Sequence, residues 1–227
     1  MSIKTNIETI RRHIPEGVRL VCVSKFNPNE SILEAYDTGE RIFGESKVQE
    51  LCGKYETLAQ DIIWHFIGHL QTNKIKYIVP FVSLIHGVDS YKLLVEINKQ
   101  AVKVGKTVNC LLQIHIASEE TKFGFSDEEL LDTLTSGDWK ELKNIRICGL
   151  MGMATFTDNQ SQIHSEFHHL KTLFDTIKTG FFAGEESFSE LSMGMSDDYH
   201  IAIEEGSTLV RIGSSIFGAR NQTQNQR

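Results

Sequence analysis

The stretch Arg19-Leu20-Val21-Cys22-Val23-Ser24-Lys25-Phe26-Asn27-Pro28 decides the fold. Residues 19–24 are a nearly continuous run of strand-forming apolar types, the pattern of a strand covered on both faces. Directly after it, where an open dinucleotide-binding sheet would carry Gly-x-Gly-x-x-Gly, stands Ser24-Lys25-Phe26-Asn27-Pro28. The doubly wound alternative is weakened by that absence. Pro28 then opens a helical pattern over 29–38.

The same alternation repeats outward from this unit. Strand-like runs occupy 19–24, 41–43, 63–67, 84–88, 108–114, 145–151, 190–192 and 209–212, and helical patterns lie between them, for example 90–103 with Ser90 as N-cap and 161–178. Eight buried strands joined by helices within 227 residues predict one closed (β/α)8 TIM barrel over 1–220, with the polar tail 221–227 expected to be disordered. No linker divides the chain.

With 40% hydrophobic residues the chain can build a substantial core. Its net charge of −7 comes with dispersed basic residues, so neither nucleic acid nor an anionic membrane surface is an expected partner. No run is long and apolar enough to cross a bilayer, and residues 1–8 lack the apolar core of a signal peptide; a cytoplasmic location is expected. Cys22, Cys52, Cys110 and Cys148 are widely spaced without a C-x-x-C pair, and they read as free thiols rather than zinc ligands.

In a parallel barrel the working groups follow the strands, so the residues after each run are the candidates. Lys25 emerges from an apolar floor, where desolvation favours the neutral amine needed to attack an aldehyde; a lone lysine there also reads as one snorkelling into water. After the seventh and eighth strands come Met193-Gly194-Met195-Ser196 and Gly213-Ser214-Ser215. The N–H groups of Gly213 and Ser214, with the hydroxyls of Ser196 and Ser214, suit a phosphate at a helix start, or else ordinary small-residue turns. Arg211, inside the last strand, needs a buried acceptor, and Glu45 or Glu50 could serve as a salt-bridge partner.

Taken together, Val23-Ser24-Lys25, Phe43-Gly44-Glu45 with Val48-Gln49-Glu50, Trp64-His65-Phe66-Ile67-Gly68 with Leu70-Gln71, Asn73-Lys74, Gly149-Leu150-Met151, and Leu191 to Ser196 through Phe217-Gly218 resemble the pyridoxal phosphate homeostasis proteins. The match runs in order from about Arg19 to Arg220. That family is similar to the N-terminal barrel of alanine racemase, fold type III among pyridoxal 5'-phosphate (PLP) binders, without the C-terminal β-domain. The resemblance implies PLP held on Lys25 as a Schiff base. It places Arg211 near the pyridine nitrogen, and Ser196, Gly213 and Ser214 at the phosphate. His65 is expected to line the pocket, and Lys122 to receive or shuttle PLP or else to be a solvated loop lysine. Ser46 and Lys47 depart from the family's Asn-Tyr after Glu45, so Ser46 stands where the asparagine's polar contact is expected.

An arginine at the pyridine nitrogen cannot readily give up a proton, which makes the ring a weak electron sink, and a racemase's second base has no evident counterpart. A non-catalytic PLP carrier or buffer is therefore the leading expectation. It would be monomeric, with PLP-dependent apoenzymes as transient partners. A PLP-dependent racemase or lyase, and a PLP-free sugar-phosphate isomerase or aldolase, are the alternatives. The pairs His65/His69 and His164/His168 have metal-ligand spacing, but Gly68 interrupts the first and the second has no acidic ligand set in view; no metal is expected.

Overall fold

The computed structural model describes residues 2–119 and 123–218. Lys122 and the tail 221–227 lie outside the described residues. Eight parallel strands close into a barrel in sequence order: β1 (Arg19–Val23), β2 (Ile42–Glu45), β3 (Ile63–Phe66), β4 (Leu84–Val88), β5 (Val108–Ile114), β6 (Ile145–Gly152), β7 (Glu190–Ser192) and β8 (Leu209–Ile212). Closure pairs β1 with β8, Cys22 standing opposite Ile212. The barrel expected from the sequence is thus present, with several strand limits unchanged.

The helices are α1 (Ile3–His13), α2 (Asn29–Asp37), α3 (Val48–Thr57), α4 (Ile75–Ile78), α5 (Tyr91–Lys103), α6 (Asp127–Ser136), α7 (Gln160–Phe181), α8 (Tyr199–Glu204) and α9 (Ser214–Phe217). The Ser90 hydroxyl accepts from Leu93 N and caps α5 as expected, while Asn159 caps α7 one residue ahead of the expected start. Helix α1 was not anticipated. Its Ser2 cap and buried Ile7 and Ile10 dock it against α2 and α9, and Asn6 Nδ2 donates to Ile216 O at 2.8 Å.

Two apolar clusters share the strands. The larger lies between barrel and helices and includes Phe43, Trp64, Phe66 and Phe167; the smaller, Val21, Leu84, Leu111, Cys148, Met151 and Leu209, fills the barrel interior. Register carries this inward face towards the mouth. His65 pairs with Leu84 and Ser192 with Leu209, so both point inward, and His86, Gln113 and Arg211 lie two residues beyond inward-facing Leu84, Leu111 and Leu209. A polar layer therefore caps the apolar floor.

Candidate functional site at the barrel mouth

Lys25 sits in a tight turn after β1. Ser24 N donates to Gly44 O at 3.1 Å, continuing the β1–β2 ladder, and Asn27 N returns to Ser24 O at 3.0 Å. Lys25 and Phe26 are the central residues of this turn, Lys25 half-buried and Phe26 at φ 66°. Among the described residues Phe26 is the one non-glycine with positive φ. A bulky side chain pays steric strain there, so the surroundings must hold the turn in place.

The loops after β7 and β8 meet beside it. Ser196 Oγ accepts from Gly213 N at 3.2 Å and Ser215 N at 3.4 Å, which places its oxygen at the start of α9. Asp198 Oδ1 accepts from Met195 N at 2.5 Å, and Arg211 N donates to Gly194 O at 3.0 Å, fixing the Ser196 loop against β8. Burial pushes the Asp198 carboxyl up, opposed by the Met195 N–H and by Arg211. Of the two residues named after Gly213, Ser214 is exposed and Ser215 supplies the observed N–H, a donor the sequence reading missed.

Arg211 is nearly fully buried. Its Nη1 donates to Ser192 Oγ at 2.5 Å and its Nη2 to Gly152 O at 3.0 Å. Desolvation lowers its pKa to about 10, still charged at neutral pH. The salt bridge to Glu45 or Glu50 is not made: both carboxylates take Lys54 instead, because β2 and α3 place them beside the Lys25 turn. From Ser192 the chain continues to His86 Nδ1 at 2.9 Å, and from His86 Nε2 to His65 Nδ1 at 3.0 Å. Arginine can only donate, so a single direction satisfies every member: Ser192 donates to His86 and His86 to His65. Burial pushes His65 down to about 3 and His86 well below its ordinary value, so both rings are neutral.

The structure thus gathers Lys25, Ser196, Arg211, Gly213 and Ser214 on the adjoining ends of β1, β8 and β7. His65 is 3% exposed and connects to Arg211 through His86 and Ser192. Ser46 is half-buried, and its backbone oxygen lies 2.4 Å from where a Gly68 Cβ would stand, so only glycine lets these two loops cross. His86, Ser192 and Lys54 escaped the sequence reading as site residues, although the first two are polar at inward positions of apolar strands. The second histidine pair does have an acidic partner: α8 ends beside α7, and Glu205 accepts from His164 Nδ1 at 2.9 Å and His168 Nδ1 at 3.0 Å. His69 Nδ1 pairs with Asp89 at 3.0 Å. Cys22, Cys110 and Cys148 are buried and Cys52 half-buried, all as free thiols.

The family model described as "Alanine racemase, N-terminal domain" matches residues 1–221. The pyridoxal phosphate homeostasis protein of Aquifex aeolicus (strain VF5) is 40% identical over 203 residues, 89% of this chain and 87% of that one; that of Vibrio alginolyticus is 38% identical over 97% and 98%. The chain belongs to the pyridoxal phosphate homeostasis protein family. A solved structure, PipY of Synechococcus elongatus PCC7942 with PLP bound, superposes with TM-score 0.87 at 32% identity, covering 96% of this chain and all of that one. An alanine racemase of Clostridium difficile 630, at 14% identity and TM-score 0.75 over 57% of its own length, shares the barrel fold. No helix among the described residues is long and apolar enough to cross a membrane.

Proposed function

We propose that this chain binds PLP at the barrel mouth, holds it as a Schiff base on Lys25, and serves intracellular vitamin B6 homeostasis as a carrier or buffer. The observation that carries this reading is the convergence of an amine, a set of anion donors and a buried cation on three adjoining strand ends. The residues fit the cofactor. Gly213 and Ser215 N–H groups already surround one oxygen, that of Ser196, and a phosphate oxygen would be bound by the same donors. Arg211 gives two of its five N–H groups to Ser192 and Gly152. PLP supplies an aldehyde that condenses with a primary amine, losing water.

Arg211 argues for binding over turnover. Held charged by Ser192, Gly152 and the field of Asp198, it offers no removable proton to a ring nitrogen and so withholds the electron sink that carbanion chemistry requires. The likeness to alanine racemases in fold gives the competing reading, a PLP-dependent racemase or lyase. Incubation of the loaded protein with α-deuterated amino acids separates them: catalytic loss of label or of chirality would sink the carrier reading. The primary test is spectroscopic. Added PLP should produce a visible band that borohydride fixes onto Lys25 and that Lys25→Ala abolishes; a protein that stays colourless removes the proposal. A PLP-free phosphate-binding enzyme would give that second result.

We infer further that the carrier works in the cytoplasm as a monomer, meeting PLP-dependent apoenzymes transiently. Lys122 and Ser46 enter as auxiliary residues, for transfer and for a polar contact at the mouth. Unchanged PLP uptake and release in Lys122→Ala would remove the first role.

A further inference from the structure

We propose that Glu50, braced by Lys54 and Glu45, is a positioning residue that fixes the turn carrying Lys25. This rests on the reading of Lys25 as the PLP-linking amine.

Both neighbours of Lys25 are held by one buried ionic cluster. Lys54, 6% exposed, directs Nζ to Ser24 O at 2.9 Å, Glu45 Oε1 at 2.7 Å and Glu50 Oε1 at 2.7 Å, which uses all three ammonium donors. Ser24 Oγ donates to Glu45 Oε1 at 2.6 Å. On the other side of Lys25, Phe26 N donates to Glu50 Oε1 at 2.6 Å. Ser24 is thereby tied at its carbonyl and hydroxyl, and Phe26 at its N–H.

The Phe26 bond falls on the residue that needs it. At φ 66° a phenylalanine is strained, and a short charge-assisted bond to its N–H opposes relaxation towards ordinary extended or helical backbone. Such relaxation would rotate the peptide next to Lys25 and change where its amine points. Stability by itself is a poor account of the cluster, since two carboxylates and an ammonium withdrawn from water are commonly no better than an apolar packing of similar volume. An aimed turn gives the cluster a use. Glu50 is also the exchangeable member: it lies in the first turn of α3 with 21% of its side chain exposed, whereas Glu45 is fully buried.

The experiment compares two ligands on the full chain. PLP can bond to Lys25, whereas pyridoxine 5'-phosphate, an alcohol in place of the aldehyde, can only bind. Glu50→Ala is expected to bind pyridoxine 5'-phosphate as the wild type does but to form the borohydride-trappable bond with PLP roughly tenfold more slowly, while Glu50→Gln, which keeps an oxygen acceptor, stays near wild type. Adding Phe26→Gly to Glu50→Ala should recover most of the rate, because glycine adopts the positive φ without help. Equal rates in Glu50→Ala and wild type overturn the proposal, and so does an equal loss of both ligands. If Glu50→Ala alone does not fold, the comparison is made within Phe26→Gly protein, where a persisting tenfold loss on removing Glu50 is the overturning result. A wild-type chain that forms no bond with PLP, by contrast, brings down the functional reading itself.

Discussion

At the residue scale, two buried titratable groups on the neighbouring strands β2 and β3 respond to pH with opposite sign. Desolvation raises the Glu45 carboxyl from 4.5 to about 7, against the pull of Lys54 and Ser24. Folding thus favours its protonated form. The stability this confers is full below 4.5 and is lost as pH rises through about 7. His65 has the reverse sign: with its folded pKa lowered from 6.5 to about 3, its contribution is full above 6.5 and lost as pH falls towards 3. Glu45→Gln removes only the first dependence. The wild type minus Glu45→Gln difference in unfolding free energy should therefore shift against the wild type by about 3 kcal/mol between pH 4.5 and 7, measured by urea titration at each pH. A flat difference would mean that Lys54 holds the carboxylate ionised throughout. Ser192→Ala should cost about 1–3 kcal/mol, since it leaves an Arg211 N–H and His86 Nδ1 without their shared partner.

At the element scale, the barrel wall depends on two local departures from regular strand. Between the pairs Cys110–Ile147 and Leu111–Gly149, β6 carries one extra residue, a bulge that lets Gly149 take φ 150° against β7. A Cβ at Gly149 would lie 1.8 Å from Glu190 O, so Gly149→Ala is expected to lose the cooperative fold, read as loss of the near-ultraviolet circular dichroism. The β7–β8 seam is short, with Ser192 opposite Leu209, and side chains supplement it: Ser207 Oγ donates to Met193 O at 2.8 Å and Thr208 Oγ1 accepts from Leu191 N at 2.8 Å. Ser207→Ala should accordingly lower stability by roughly 1 kcal/mol and speed amide exchange in β7 and the Ser196 loop first. Exchange rising evenly over the whole barrel would assign Ser207 a global role instead.

At the scale of the whole molecule, the closed barrel places the ends of β1, β7 and β8 side by side although Lys25 and Arg211 are far apart in the chain. Ligand binding should then stabilise the fold as a unit. PLP at a hundred times its dissociation constant is expected to add about 2.7 kcal/mol, seen as a raised melting temperature that Lys25→Ala largely forfeits. Light scattering tests the inferred monomer directly, the expected mass being 25.7 kDa with and without PLP. Twice that mass would place a second copy in any account of the site.

The strand order, the barrel and the family were legible in the sequence, which also offered Lys25, Ser196, Gly213 and Arg211 as candidates for the site, because each depends on local periodicity or on short motifs. The amphipathic α1 was legible too, from Ser2 and the spacing of Ile3, Ile7 and Ile10, but sat where the chain was read only for a signal peptide. Tertiary structure alone decided the partners. Glu45 and Glu50 belong to Lys54, Arg211 belongs to Ser192 and Gly152, and His65 joins the site through His86. Which buried charge meets which acceptor follows from strand register and barrel closure, quantities fixed by packing the whole chain and written in no single segment.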